Sequence, residues 1–173
     1  MTSPAFYTRV STIRPDNAGN LDTLNRLKQL ASHPSARLHA LRAMILGRTP
    51  GQSVEGVTLL FEFVRSNLTF RRDDPQAEEI TTPDRLAWEI QTHGRAYEDC
   101  DGYVALLGAL LVSAGIPTRL VAISTHEDRI WNHVALRASI DGLWIGLDPI
   151  VSFPIGWSVP EAEVTSRVEV ALN

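Results

Sequence analysis

Apolar residues follow helical spacing through the first two thirds of the chain and alternate in the last third. Asn20 reads as the cap of a first helix, with Leu21, Leu24, Leu27 and Leu30 on one stripe. Pro34 breaks that run and suits the start of a second helix, whose apolar face is Leu38, Leu41, Ile45 and Leu46. Gly47 closes it. Ser53 caps a third helix carrying Val57, Leu60, Phe61 and Val64. Residues 68–70 read as a short extended piece, and residues 71–75 as a solvated turn. Thr82 and Pro83 open a fourth helix that runs to about residue 91. Gly94 then releases the chain into a loop that delivers Cys100.

A fifth, almost wholly apolar helix is predicted over residues 100–114, stopped by Gly115 and Pro117. Period-two segments follow at 118–123, 132–138 and 143–147. Asp141-Gly142 between the last two is a strong hairpin signal. Helices first and an antiparallel sheet afterwards predict an α+β fold, with a central helix packed on a small sheet. Residues 1–19, punctuated by Pro4, Pro15 and Gly19, read as an extended arm anchored by Phe6, Tyr7, Val10 and Ile13. The domain is expected over residues 20–150. Residues 151–173, rich in proline and glycine, are expected to wrap the surface.

Composition narrows the function classes. The chain has 173 residues, 44% hydrophobic and 21% charged, enough to bury a core without staples. Its net charge is −4 and no basic run occurs, so neither nucleic acid nor an acidic membrane is an expected partner. The N-terminus lacks an apolar signal core, and no apolar run approaches the roughly 20 residues of a membrane span. One cysteine excludes an internal disulfide framework and suits a reducing compartment or a particle.

That cysteine carries the chemistry. Cys100 stands where the fifth helix begins. Unpaired N–H groups at a helix start favour a thiolate, and the same groups can hold the oxyanion of a tetrahedral intermediate. Glu98, Asp99 and Asp101 oppose the thiolate, so a cationic partner is required. His133, on the first long strand of the hairpin, is the candidate. Asp148 ends the paired strand. Counting outward from the turn, residue 133 faces about residue 150, which brings Asp148 within reach of the imidazole. A carboxylate there would fix its tautomer and stabilise its cation. The blander alternatives are a structural cysteine, a hydrogen-bonded histidine and an Asp-Pro turn.

A zinc site drawn from His93, Cys100, His126 and His133 is the competing arrangement, but the sequence has no Cys-x-x-Cys or His-x-x-x-His spacing. No metal or organic cofactor is expected. No phosphate loop or dinucleotide fingerprint is present.

The run Asp99-Cys100-Asp101-Gly102, a helix ending Ser113-Ala114-Gly115-Ile116-Pro117, then Asn132-His133-Val134, then Leu143 through Pro149, resembles the transglutaminase-like superfamily over residues 54–150. The resemblance implies a papain-related α+β fold and a triad of Cys100, His133 and Asp148. Glu98 stands where the family usually has glycine and is expected to constrain the turn into the helix. The side chain completing the oxyanion hole is open among Trp88, Gln91 and Tyr97, beside the backbone N–H of Cys100. Glu79-Ile80 with Thr82-Pro83, and Phe153 through Trp157, more weakly resemble a bacteriophage and prophage subgroup of virion-associated cysteine proteases.

The expected function is therefore a cysteine protease, amidase or acyltransferase working through a thioester. Its substrate would be a peptide, a protein or a cell-wall peptide. An acidic rim of Glu98, Asp99, Asp101 and Glu127 would disfavour strongly acidic substrates. The phage resemblance adds other virion proteins as partners, and a bacterial cytoplasm or a virion as location. The alternative is a non-catalytic virion module that keeps the fold.

Overall fold

The computed structural model describes residues 7–10, 17–72 and 78–173. Helix α1 spans Asn17–Ser32, α2 Ala36–Leu46, α3 Val54–Asn67, α4 Pro83–His93 and α5 Cys100–Ser113. Strand β1 is Tyr7–Val10, β2 Leu68–Phe70, β3 Glu78–Thr81 and β4 Ala96–Glu98. The later strands are β5 Thr118–Ser124, β6 His133–Ile140, β7 Leu143–Leu147 and β8 Ser166–Ala171. The main sheet has the order β7-β6-β5-β8 and is antiparallel throughout. This is the α+β architecture expected.

Side-chain oxygens set most helix starts. Ser35, Ser53, Thr82 and Asp99 each accept from a backbone N–H of the first turn. Pro34 therefore precedes the cap of α2 instead of opening the helix. Asn20 lies inside α1, which begins at Asn17, so it is not the cap. Gly94 (φ 79°) and Gly115 (φ 72°) take the left-handed conformation that ends α4 and α5.

Helix α5 is the centre of the molecule. Every residue from Asp101 to Leu111 is buried, because α1 to α4 pack against one side and β5 and β6 against the other. A helix covered all round needs no polar stripe, which is why its sequence has none. Gly108 lets the neighbours close in: a Cβ there would lie 3.0 Å from Leu172 Cδ1 and 3.2 Å from Ala31 Cβ. Phe61, Leu60, Val57 and Val64 of α3 complete this core.

Tyr103 is buried within α5, and burial raises its phenol above the usual value of 10.0. The neutral form is favoured in the folded state, so this stability is complete below pH 10 and is lost as pH climbs through the raised value. Urea midpoints at about pH 8 and about pH 11 should therefore fall less in Tyr103→Phe than in the wild type. Equal declines would remove this group from the account.

The β6–β7 hairpin follows the predicted register. Ile140 faces Leu143 and Leu136 faces Leu147. Asp141 (φ 51°) and Gly142 (φ 81°) both have positive φ, as a two-residue turn matching strand twist requires. Burial alternates along β6, with His133, Ala135 and Arg137 on the outer face.

Three regions depart from the sequence reading. Residues 166–171 do not wrap the surface: they form β8 and extend the sheet beside β5. Val168 and Val170 face the core, and Glu169 pairs with Arg119 and Arg137 on the outer face. Residues 7–10 of the arm are a strand paired with β3. The segment before Cys100 is also a strand, because β4 pairs in parallel with β2. The side chains expected to anchor the arm, and most of the turn at 71–75, lie outside the described residues.

Candidate active site

Cys100 is the first residue of α5, with Asp99 as its cap. Asp99 Oδ1 accepts from the backbone N–H of Asp101 at 2.9 Å. The Cys100 thiol donates to Asp101 Oδ1 at 3.7 Å. Oxygens of two carboxylates, Asp99 and Asp101, lie within 4.8 Å of the sulfur, and a negative sulfur there needs a nearby cation.

Glu98 is 5% exposed and turned away from the cavity, so it belongs to no acidic rim, whereas Asp99 and Asp101 line the cavity and Glu127 is exposed. The Glu98 side chain lies over the first turn of α5, where a Cβ on residue 102 would sit 2.4 Å from Glu98 Cγ. Glu98 Oε2 accepts from the Asp99 N–H at 3.2 Å. Glycine at 102 is what makes room for glutamate at 98. The bulk at position 98 is accommodated one turn later.

His133 begins β6, and Asp148 follows β7. Nε2 of His133 lies 2.6 Å from Oδ2 of Asp148. The carboxylate is buried and its other oxygen, Oδ1, accepts from the Ile150 N–H at 3.3 Å. Continuing the hairpin pairing past Leu136–Leu147 is what brings these two residues together.

Cys100 and His133 line one cavity of about 250 Å³, together with Asp99, Asp101, Trp131 and Asn132. Its remaining walls come from α1, β5 and β6. The thiol and the imidazole thus share one cavity, the buried carboxylate lies against the imidazole, and the head of a helix stands beside the sulfur. Such a set suits nucleophilic attack on a carbonyl.

Trp88, Gln91 and Tyr97 do not line this cavity. Trp88 packs edge-on against His93 and under Arg85. Gln91 accepts from Arg37, and Tyr97 lies exposed beneath Arg71. Strand β4 and helix α4 turn these side chains away, a consequence of pairings that spacing does not reveal. Asn20 of α1, read from sequence only as a cap, lines the cavity instead.

The histidines weighed for a metal are dispersed. His93 lies against Trp88, and His126 Nε2 is 3.3 Å from Asn132 Nδ2. Among the described residues, ligand atoms of Asp99, Cys100 and Asp101 come within 4.8 Å of one another. Their closeness follows from being consecutive at a helix start.

A cysteine heading a buried helix that packs on an antiparallel sheet defines the papain-like class of α+β folds. The sequence profile of the transglutaminase-like superfamily matches residues 40–149, and the chain belongs to that superfamily. The match is to the superfamily as a whole and does not single out the bacteriophage subgroup. A proposed protease from Parabacteroides distasonis has the same fold, with a TM-score of 0.59 and 15% identity over 89% of this chain and 32% of that one. A proposed cysteine protease from Cytophaga hutchinsonii gives a TM-score of 0.50 and 16% identity over 81% of this chain and 50% of that one. The chain thus spans a third to a half of the lengths of these two proteins, and at such identities the likeness is one of fold. No curated protein shows significant sequence similarity to it. Among the described residues, no helix is long and apolar enough to cross a membrane.

Proposed function

We propose that this chain is a cysteine hydrolase or acyltransferase that cleaves an amide bond through a thioester on Cys100. The observation that carries the reading is the 2.6 Å contact of His133 Nε2 with buried Asp148, on a histidine that shares its cavity with Cys100. A carboxylate only accepts, so Nε2 carries the hydrogen and Nδ1 is left as the base. Nδ1 takes the thiol proton, and the sulfur attacks the carbonyl carbon. The proton then passes to the leaving amine. Water or a second amine attacks the thioester and frees Cys100. Water makes the reaction a proteolysis or amide hydrolysis, and an amine makes it a transfer. Superfamily membership and the two structural neighbours support this class of chemistry.

Iodoacetamide alkylation followed across pH tests the thiol–imidazole pair. In the wild type, Cys100 should react well below the pH of about 8.5 at which an ordinary thiol ionises. His133→Ala should move the profile back toward that value. A wild-type profile already like that of a free thiol, unchanged by His133→Ala, would sink the reading.

A further inference from the structure

One wall of the cavity beside Cys100 comes from α1, which precedes the residues matched by the superfamily profile. Leu24 and Leu27 of this wall are buried and hold α1 in the core. Asn20 has a different environment. It is only half-buried, and its Nδ2 donates to the carbonyl oxygen of Trp131 at 2.6 Å, across 111 residues of sequence. Trp131 lies two residues before His133 and lines the same cavity. The carboxamide is therefore tied to the segment that carries the histidine. A primary amide nitrogen has two hydrogens. Among the described residues, the second hydrogen has no other acceptor, and Oδ1 receives no hydrogen bond.

Attack of a thiolate on a carbonyl places negative charge on the carbonyl oxygen, and water-excluded sites stabilise it with fixed donors. The backbone N–H at the head of α5 is one such donor. A second donor can be a side chain of another element that lines the same cavity. We propose that Asn20 Nδ2 is that donor, which makes Asn20 a catalytic residue contributed by α1. This assignment rests on the reading of Cys100 as an acyl-accepting nucleophile. The Trp131 carbonyl fixes one hydrogen, so the other is oriented before substrate arrives. Asparagine suits the task because it can serve both acceptors at once. Aspartate has no hydrogen to offer either.

The test compares two reactions of the same sulfur. With p-nitrophenyl acetate, the sulfur bonds to the acetyl carbon, the C–O bond breaks and p-nitrophenolate departs while His133 keeps the thiol proton. This reaction passes through an oxyanion. Alkylation by iodoacetamide displaces iodide and does not. Asn20→Ala and Asn20→Asp should acetylate Cys100 about 10²–10³-fold more slowly, the loss expected for one oxyanion donor. Alkylation of Asn20→Ala, which adds no charge to the cavity, should stay within about twofold of wild type, with its pH profile unmoved. Aspartate keeps the size of the side chain but not its hydrogens, so it separates loss of the donor from loss of volume.

Acetylation of both variants at the wild-type rate would overturn the role of Asn20 and leave the thiol enzyme intact. Parallel loss of acetylation and alkylation would show that Asn20 merely holds the Trp131–His133 segment, and would also overturn it. A wild-type chain that forms no acetyl adduct, with a thiol that alkylates ordinarily, would remove both Asn20 and the proposed function.

Discussion

Cys100→Ala should abolish amide hydrolysis or transfer, with a fall on the order of 10⁶-fold in turnover, as expected for loss of a triad nucleophile. The sulfur forms the only covalent bond to the substrate in the proposed reaction, and no other cysteine exists to replace it. Stability should change little. Cys100 is half-buried at the start of α5, where alanine is a good helix former and the Asp99 cap is retained. Mass spectrometry with a peptide or cell-wall fragment library reports the outcome directly. An acyl adduct on the wild type that disappears in Cys100→Ala is the expected result. An adduct that persists in the variant would place the nucleophile elsewhere.

Asp148→Asn should lower turnover about 10⁴-fold while the fold survives, through the histidine tautomer alone. Oδ1 of Asp148 accepts from the Ile150 N–H, and Oδ2 accepts from His133. Asparagine must keep an oxygen toward Ile150, so its NH₂ group turns to His133. An NH₂ there donates to Nε2 and drives the ring hydrogen to Nδ1. The nitrogen that should take the thiol proton is then already occupied. Substrate binding is expected to persist, so kcat falls much more than KM changes. Combining Asp148→Asn with His133→Ala should add little to His133→Ala alone, since the carboxylate acts through the ring. A full additional loss in the double variant would give Asp148 a role independent of His133.

Much of this architecture is legible in local patterns. The caps at Ser53 and Thr82, the αL stops at Gly94 and Gly115 and the Asp141-Gly142 turn are short-range devices, and each appears where the residue types demand. The α5 core reads directly from its apolar run, since only a helix enclosed on all sides can dispense with a polar face. The hairpin register follows from the turn, and with it the approach of His133 to Asp148. Strand β8 falls in the stretch read as a surface tail, because the proline and glycine before it outweigh the short alternation of Val168 and Val170.

The site itself divides the same way. Cys100 at a helix start, among acidic neighbours and ahead of a His-bearing hairpin, is determined by the sequence, because each feature depends on residues close by or joined through one tight turn. Burial of Glu98 against Gly102 depends on how β4 enters α5, and only the folded chain shows it. Only tertiary packing decided which upstream side chain meets the cavity. Trp88, Gln91 and Tyr97 are nearer in sequence but are turned away by α4 and β4, whereas α1 returns Asn20 to the Trp131 carbonyl. Contacts at such separation arise from the packing of α1 on α5, which hydrophobic spacing permits without specifying the face that lines the cavity.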